Sequence, residues 1–288
     1  MRIDVVIPSA GRIDALYACL ASLYDMRRPP DAVSVVLQGS PAPEVTERIT
    51  ATLPNVQVMV IPTIGASAAR NAGAAASGAE VVAFLDDDCT VAPDWLDAIA
   101  SAFEDPEIDL VSGRVRPDGS GTLVLAGQTH AEPRTFRGRR NPVGTVDRSG
   151  NMAIRVDAMT AVGGFDESLG PGTLYRAAED TDLVYRLMKA GAQLRYAPAM
   201  CVVHRHWRDR SDSRATERGY AFGLGAMIAK HAQGGDLYAL TLLPRLIWHM
   251  GLRPVIGGML NRDPEHVRSG FRYLAGLPLG FISRLARR

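Results

Sequence analysis

Over its first ninety residues the chain alternates short β-branched apolar runs with longer stretches whose apolar positions recur at helical spacing. The runs at 3–7, 33–37, 56–61 and 81–85 read as strands. The stretches at 12–24, 44–53 and 66–77 read as helices. Strand and helix in alternation predict βαβ units, and right-handed crossovers make the central sheet mainly parallel, with helices on its flanks. Ligands of such sheets collect beyond the carboxyl ends of the strands. The loops at 8–11, 38–41, 63–67 and 86–90 are therefore the predicted walls of a site. A further strand at 108–115 leads into a Gly-, Arg- and Pro-rich stretch at 116–150, long enough for a loop or lid. Residues 179–190 read as a helix with Leu183, Val184, Leu187 and Met188 on one face and Gly191 as its stop.

Composition narrows the class. With 47% hydrophobic and 22% charged residues the chain is ordinary globular protein, which excludes disorder. A length of 288 residues suits one catalytic domain, expected at 1–206, with an extension at 207–288. Cys19, Cys89 and Cys201 are widely spaced and show no paired motif, as expected of a reduced, cytoplasmic protein. Asp4 and Pro8 interrupt what an export signal would need as an apolar core. The net charge of +1 conceals an imbalance: residues 205–288 carry +8 and residues 1–204 carry −7. Two functional regions follow, and no nucleic-acid partner is expected.

The sharpest local feature is Phe84-Leu85-Asp86-Asp87-Asp88, an apolar strand that ends in three carboxylates. Adjacent negative charges at a strand end call for a counter-charge, and Mg²⁺ or Mn²⁺ bridging to a substrate phosphate supplies one. A solvated acidic turn is the alternative for an isolated triplet. This triplet is not isolated. Val5-Val6-Ile7-Pro8-Ser9 opens the chain, and Gly65-Ala66-Ser67-Ala68-Ala69-Arg70-Asn71-Ala72-Gly73 precedes the carboxylates. Gly163-Gly164-Phe165-Asp166-Glu167 and Glu179-Asp180-Thr181-Asp182-Leu183 follow them. In this order and spacing, over about residues 3–206, the chain resembles the family 2 glycosyltransferases of the GT-A fold.

The resemblance implies an inverting transfer of a sugar from a UDP, GDP or dTDP donor to a hydroxyl of a glycan or lipid-linked glycan. Asp86 and Asp88 match the outer positions of the family's Asp-x-Asp motif, the first implied to face the ribose and the second the metal. Pro8, Ser9, Gln38, Arg70 and Asp87 are the implied donor-side residues. Gln38 stands where many relatives carry an acid, yet its amide still donates and accepts toward a base. Gly164, Phe165, Asp166 and Glu179 are the implied sugar and acceptor pocket. Asp180 is the implied general base, although acids at a helix start are also favoured by the macrodipole. His204, ending Val202-Val203-His204, is the implied histidine ligand of the metal, with His206 second. Nucleotidyl transfer, or a silent subunit that binds sugar nucleotides or glycans, remains as an alternative function. A dinucleotide oxidoreductase is disfavoured, since Pro8-Ser9-Ala10-Gly11 lacks the Gly-x-Gly-x-x-Gly turn.

The tail carries a different pattern. Residues 237–260 are apolar but broken by Pro244, Arg245, His249, Arg253 and Pro254, a poor transmembrane span. Arg245, His249 and Arg253 form one polar helical stripe opposite Leu246, Ile247, Met250 and Leu252, which fits a helix lying in an anionic membrane interface. Packing on the catalytic domain or on the second subunit of a homodimer fits equally.

Overall fold

The computed structural model describes residues 1–41, 43–52, 56–118, 131–138, 146, 149–205 and 210–287. Two compact units result, one of residues 1–167 with 180–207 and one of residues 168–179 with 208–288.

In the first unit β1 (Ile3–Ser9), β2 (Ala32–Gln38), β3 (Val56–Ile61) and β4 (Val81–Leu85) pair in parallel in the order β3-β2-β1-β4. They are joined by α1 (Ile13–Tyr24), α2 (Pro43–Thr52) and α3 (Ala66–Ala76). β1 and β4 read as unbroken apolar runs because both of their faces are covered, whereas β3, the outermost strand, leaves Val60 exposed. Val5, Ile7, Val35 and Leu37 enter one core with Leu16, Leu20 and Trp95. Their neighbours Val6, Val36 and Phe84 enter the other, with Phe165, Leu183 and Leu187. This division follows from the two-residue period of a strand.

Antiparallel strands complete the sheet. β8 (Asn151–Arg155) pairs with β4 and with β6 (Ile108–Pro117). β9 (Gln193–His204) runs parallel to β6, and the short β5 (Cys89–Val91) and β7 (Arg134–Phe136) lie antiparallel to β9. Of the stretch expected to be a loop or lid, β7 is one described part, and residues 119–130, 139–145 and 147–148 lie outside the described residues. Helices α4 (Trp95–Ala102), α5 (Val156–Ala161) and α6 (Glu179–Lys189) complete the order up to β9.

The second unit is helical. α7 (Arg210–Gln233) packs along α10 (Pro264–Leu285), joined by a 3₁₀ turn at Leu237–Thr241, α8 (Leu242–Leu246), a π turn at Ile247–Leu252 and α9 (Arg253–Leu260). The helical backbone expected for the Arg245, His249 and Arg253 stripe continues through these pieces, and the π turn within it shifts the stripe's register by widening the ring. Asp263 caps α10, accepting from the backbone N–H groups of Glu265 and His266 at 3.0 and 3.1 Å, with Pro264 in the first turn. Glycines let α7 and α10 touch backbone to backbone. A Cβ at Gly225 would strike the Leu277 carbonyl and one at Gly280 the Phe222 carbonyl.

Candidate functional site

The loops that leave β1 and β4 meet because these strands are neighbours in the sheet. Beyond Leu85 the three carboxylates part. Asp87 turns inward and is fully buried, accepting from Ser9 Oγ at 2.6 Å and from Arg12, whose Nε lies at 3.1 Å and whose Nη2 also donates to it. Burial raises its carboxyl pKa, an effect that the Arg12 and Ser9 hydrogen bonds partly offset. Asp86 accepts from Arg70 Nη2 at 2.8 Å. Arg70 is itself buried, so α3 brings a positive charge to the carboxyl end of β4. Gly150 passes close below, and any Cβ there would collide with the Asp86 carboxylate. Asp88 faces Arg12 Nη2 at 3.3 Å and His204 Nε2 at 3.4 Å.

Arg12 is the residue that sequence reasoning missed. Burial acts to lower its pKa, but Asp88, Asp87 and Asp86 outweigh that and raise it, so the guanidinium stays charged. It belongs to no motif and stands just before α1. The demand of three carboxylates for a counter-charge is the signal that points to it, and much of the answer is protein, from Arg12 and Arg70.

Strand register explains His204. β5 pairs with β9 so that Cys89 lies opposite His204, and the Arg205 N–H donates to the Asp88 carbonyl at 2.9 Å. Asp88, Cys89 and His204 thereby present a carboxylate oxygen, a sulfur and an imidazole nitrogen within 4.8 Å of one another. Burial first, and then Asp86 and Asp88, push the Cys89 thiol well above the usual range. Asp88 and His204 offer a carboxylate and an imidazole that fit a divalent ion. His206 lies outside the described residues.

Opposite in sequence, the Gly163–Glu167 turn is fixed by polar contacts. Asn71 of α3 donates to the Phe165 carbonyl at 2.9 Å and to Glu167 at 3.0 Å, and accepts from the Phe165 N–H at 2.8 Å. Gly164 has φ +72°, and a Cβ there would crowd the Asn71 amide, so glycine is needed on both counts. Phe165 is buried, edge-on to Phe84 at 5.3 Å and below the Arg70 guanidinium at 5.5 Å. It acts as the floor under Arg70. Asp166 is half-buried beside it. Arg186 of α6 donates to Asp182 at 2.7 Å and to the Val162 and Gly164 carbonyls at 2.5 and 2.7 Å, which ties α6 to the same turn. Asp180 is half-buried in the first turn of α6 and accepts the Thr181 N–H at 2.8 Å, while Glu179 is buried.

On the other side Pro8 is buried in β1 and Gln38 closes β2. The Gly65 N–H donates to Gln38 Oε1 at 2.8 Å, which uses one lone pair of the amide oxygen and orients the NH₂ as a donor. Gly39, at φ +77°, turns the chain after it.

The chain is 33% identical over 256 residues to the pre-mycofactocin glycosyltransferase of Mycobacterium tuberculosis, covering 84% of this chain and 52% of that protein. It is 28% identical over 196 residues to the glycosyltransferase AglE of Haloferax volcanii, covering 64% of this chain and 63% of that one. The chain spans about half the length of the mycobacterial relative. In structure it is similar to a mannosyltransferase of Pyrobaculum calidifontis, with a TM-score of 0.65 at 16% identity, covering 100% of this chain and 88% of that chain, which places the fold among the GT-A glycosyltransferases. The family model described as glycosyl transferase family 2 matches residues 4–162, from the first strand through the Asp triplet to the end of α5, and the chain belongs to that family.

Proposed function

We propose that the chain transfers a sugar from a nucleoside diphosphate donor to an acceptor hydroxyl, with inversion at the anomeric carbon. The observation that carries this reading is the meeting of Asp88 with His204 beside the Asp86–Arg70 pair at the ends of β4 and β9. Asp86 and Arg70 flank the nucleotide, and Gln38 offers its NH₂ to an acceptor atom of uracil, thymine or guanine. Asp88 and His204 hold Mn²⁺ or Mg²⁺, and the imidazole supports Mn²⁺, because Mg²⁺ prefers oxygen ligands. The bound ion supplies positive charge against the diphosphate. Asp180 takes the acceptor proton as its oxygen attacks the anomeric carbon, and the nucleoside diphosphate leaves from the opposite face. The half-burial of Asp180 and the anchoring of α6 by Arg186 support a base held in place.

The acceptor is a glycan or lipid-linked glycan. No described helix is long and apolar enough to cross a membrane. Exposed Trp248, Leu252, Ile256 and Met259 stand at helical spacing beside exposed Arg245, His249 and Arg253, a pattern that supports peripheral attachment to an anionic membrane at its cytoplasmic face. Replacing Trp248 and Ile256 with Ser should lower liposome flotation, and unchanged flotation with loss of a dimer would favour self-association.

A panel of UDP-, GDP- and dTDP-sugars with Mn²⁺ or Mg²⁺ tests the main reading. The correct donor at about a hundred times its Kd stabilises by roughly 2.7 kcal/mol. Turnover should release nucleoside diphosphate and stop in excess EDTA. Release of pyrophosphate would mean nucleotidyl transfer instead.

A further inference from the structure

The second unit contains a cleft of about 800 Å³ between the segment at 174–176, one face of α7 and one face of α10. Its construction can be followed from the sequence. Tyr175 stacks on Phe222 of α7, with ring centroids 5.7 Å apart, and Arg284 of α10 lies over the other partner ring, that of Tyr175, at 5.7 Å. A Cβ at Gly223 would strike the Ala177 and Tyr175 carbonyls, so this glycine lets the segment lie directly on α7. Arg176, at φ +61°, then turns out toward Gly219. The cleft is wide because Gly219, Ala275 and Gly276 leave its floor without bulk.

Its lining joins two chemistries. Leu174, Phe222, Phe271 and Leu279 make an apolar wall, and three of them remain 46%, 54% and 60% exposed (Leu174, Phe271 and Leu279). The row continues beyond the cleft along α10 through exposed Ile282 and Leu285. Arg176, Arg218, Arg268 and Arg272 stand along the same cleft. Arg272 is satisfied by Glu217 at 2.7 Å and Glu265 at 2.6 Å, and Arg268 lies 3.6 Å from Glu265. Among the described residues Arg176 and Arg218 have no acidic partner. Two guanidiniums without carboxylates, beside an uncovered apolar wall that leads away from them, complement an anion joined to a hydrocarbon chain. Guanidinium forks match the planar oxygen pairs of a phosphate. The volume lies in the range of pockets that enclose a ligand of drug size, enough for a head group and the first part of a chain.

We infer that this cleft is a binding site for a lipid phosphate, the phosphate held by Arg176 and Arg218 and the adjoining carbons of its chain lying against Leu174, Phe222, Phe271 and Leu279. The site belongs to the second unit alone and does not depend on the identity of the donor, the metal or the base.

The test uses the full chain and decyl phosphate below its micelle concentration, measured by calorimetry against neutral decyl glucoside and against inorganic phosphate. Decyl phosphate should bind one to one, at least ten times more tightly than the glucoside, and inorganic phosphate should not bind measurably. The double substitution Arg176→Gln and Arg218→Gln should remove the preference for phosphate. Phe271→Gln, at an exposed position, should weaken decyl phosphate about tenfold while leaving the melting temperature unchanged. Equal binding of both amphiphiles, or equal binding of decyl phosphate by the wild type and the double variant, overturns the assignment. So does a double variant that loses binding to phosphatidylglycerol vesicles but still binds decyl phosphate, which would make the arginines a contact for the bilayer surface. A dimer in solution that Phe271→Gln dissociates and decyl phosphate leaves intact would place a second copy in the cleft and also overturn it.

Discussion

The strand-end site of the first unit and the helix pair of the second handle charge in opposite ways. Around Asp86, Asp87 and Asp88 most groups are buried or half-buried, and Arg12, Arg70, Ser9 and His204 answer the carboxylates one by one. Along α7 and α10 the closest contacts are glycine to backbone, one largely buried pair, Glu217 with Arg272, joins the two helices, and Arg218 and Arg268 stand at the surface. Position is set mainly by electrostatics in one region and mainly by the absence of side chains in the other. The same substitution type should therefore act differently in the two, and four measurements can break or sharpen that contrast.

The largest effect is expected at Asp180. Asp180→Asn keeps the shape and the helix-start acceptor but removes the proposed base, so the transfer rate should fall about 10²–10⁴-fold with donor affinity and Tm nearly unchanged. Transfer at near the wild-type rate would reduce Asp180 to a helix-start residue. Next is Arg12→Met, which strips the fully buried Asp87 of its main counter-charge. Breaking a buried pair costs about 3–5 kcal/mol, and because the Arg12 side chain is 38% exposed the expectation here is nearer ~2–3 kcal/mol. That corresponds to a Tm lower by roughly 5–10 °C for a protein of this size, and an unchanged Tm would show that the cluster does not depend on its charges.

Gly225→Val is the matching change in the second unit, where a Cβ meets the Leu277 carbonyl and the Phe281 N–H. Overpacking of this kind costs about 1–3 kcal/mol, and donor-induced stabilisation should survive it. The smallest effect concerns the thiols. Burial, followed by Asp87, Asp88 and Asp86, raises Cys19 well above the ordinary range, and burial likewise dominates at Cys89. Cys201 is only half-buried, and its smaller rise comes from burial partly offset by Arg114. A disulfide reagent at about pH 8 should label Cys201 first and the other two only on unfolding, with little change in stability.

Much of the sheet was legible because its strands are short apolar runs, buried on both faces in β1 and β4. The run at 56–61 and the run at 81–85 match β3 and β4 at both ends, and 3–7 and 33–37 fall inside β1 and β2. β8 was not foreseen, since Asn151-Met152-Ala153-Ile154-Arg155 is short, starts with a buried amide and gains its place only by pairing with β4 and β6. Asn151 is held there by Trp95, Arg114 and Met200, contacts that no local pattern encodes. In the site, the carboxylates and the helix-start acids announce themselves as unusual charge. Apart from the local Arg186–Asp182 bond, Arg12, Asn71, Arg186 and Gly150 act through partners from 22 to 96 residues away, so their work appears only after folding.

The pairing of β5 with β9 sets a clock on assembly. Asp88 and His204 lie 116 positions apart, and it is the pairing of β5 with β9 that sets the imidazole opposite Cys89. At about 5–20 residues per second, His204 is added to a growing chain roughly 6–23 s after Asp88. Throughout that interval the newborn protein carries its acids and arginines without the nitrogen that faces Asp88, and on the proposed ligand pair the ability to retain an ion would arrive only with the last strand of the sheet.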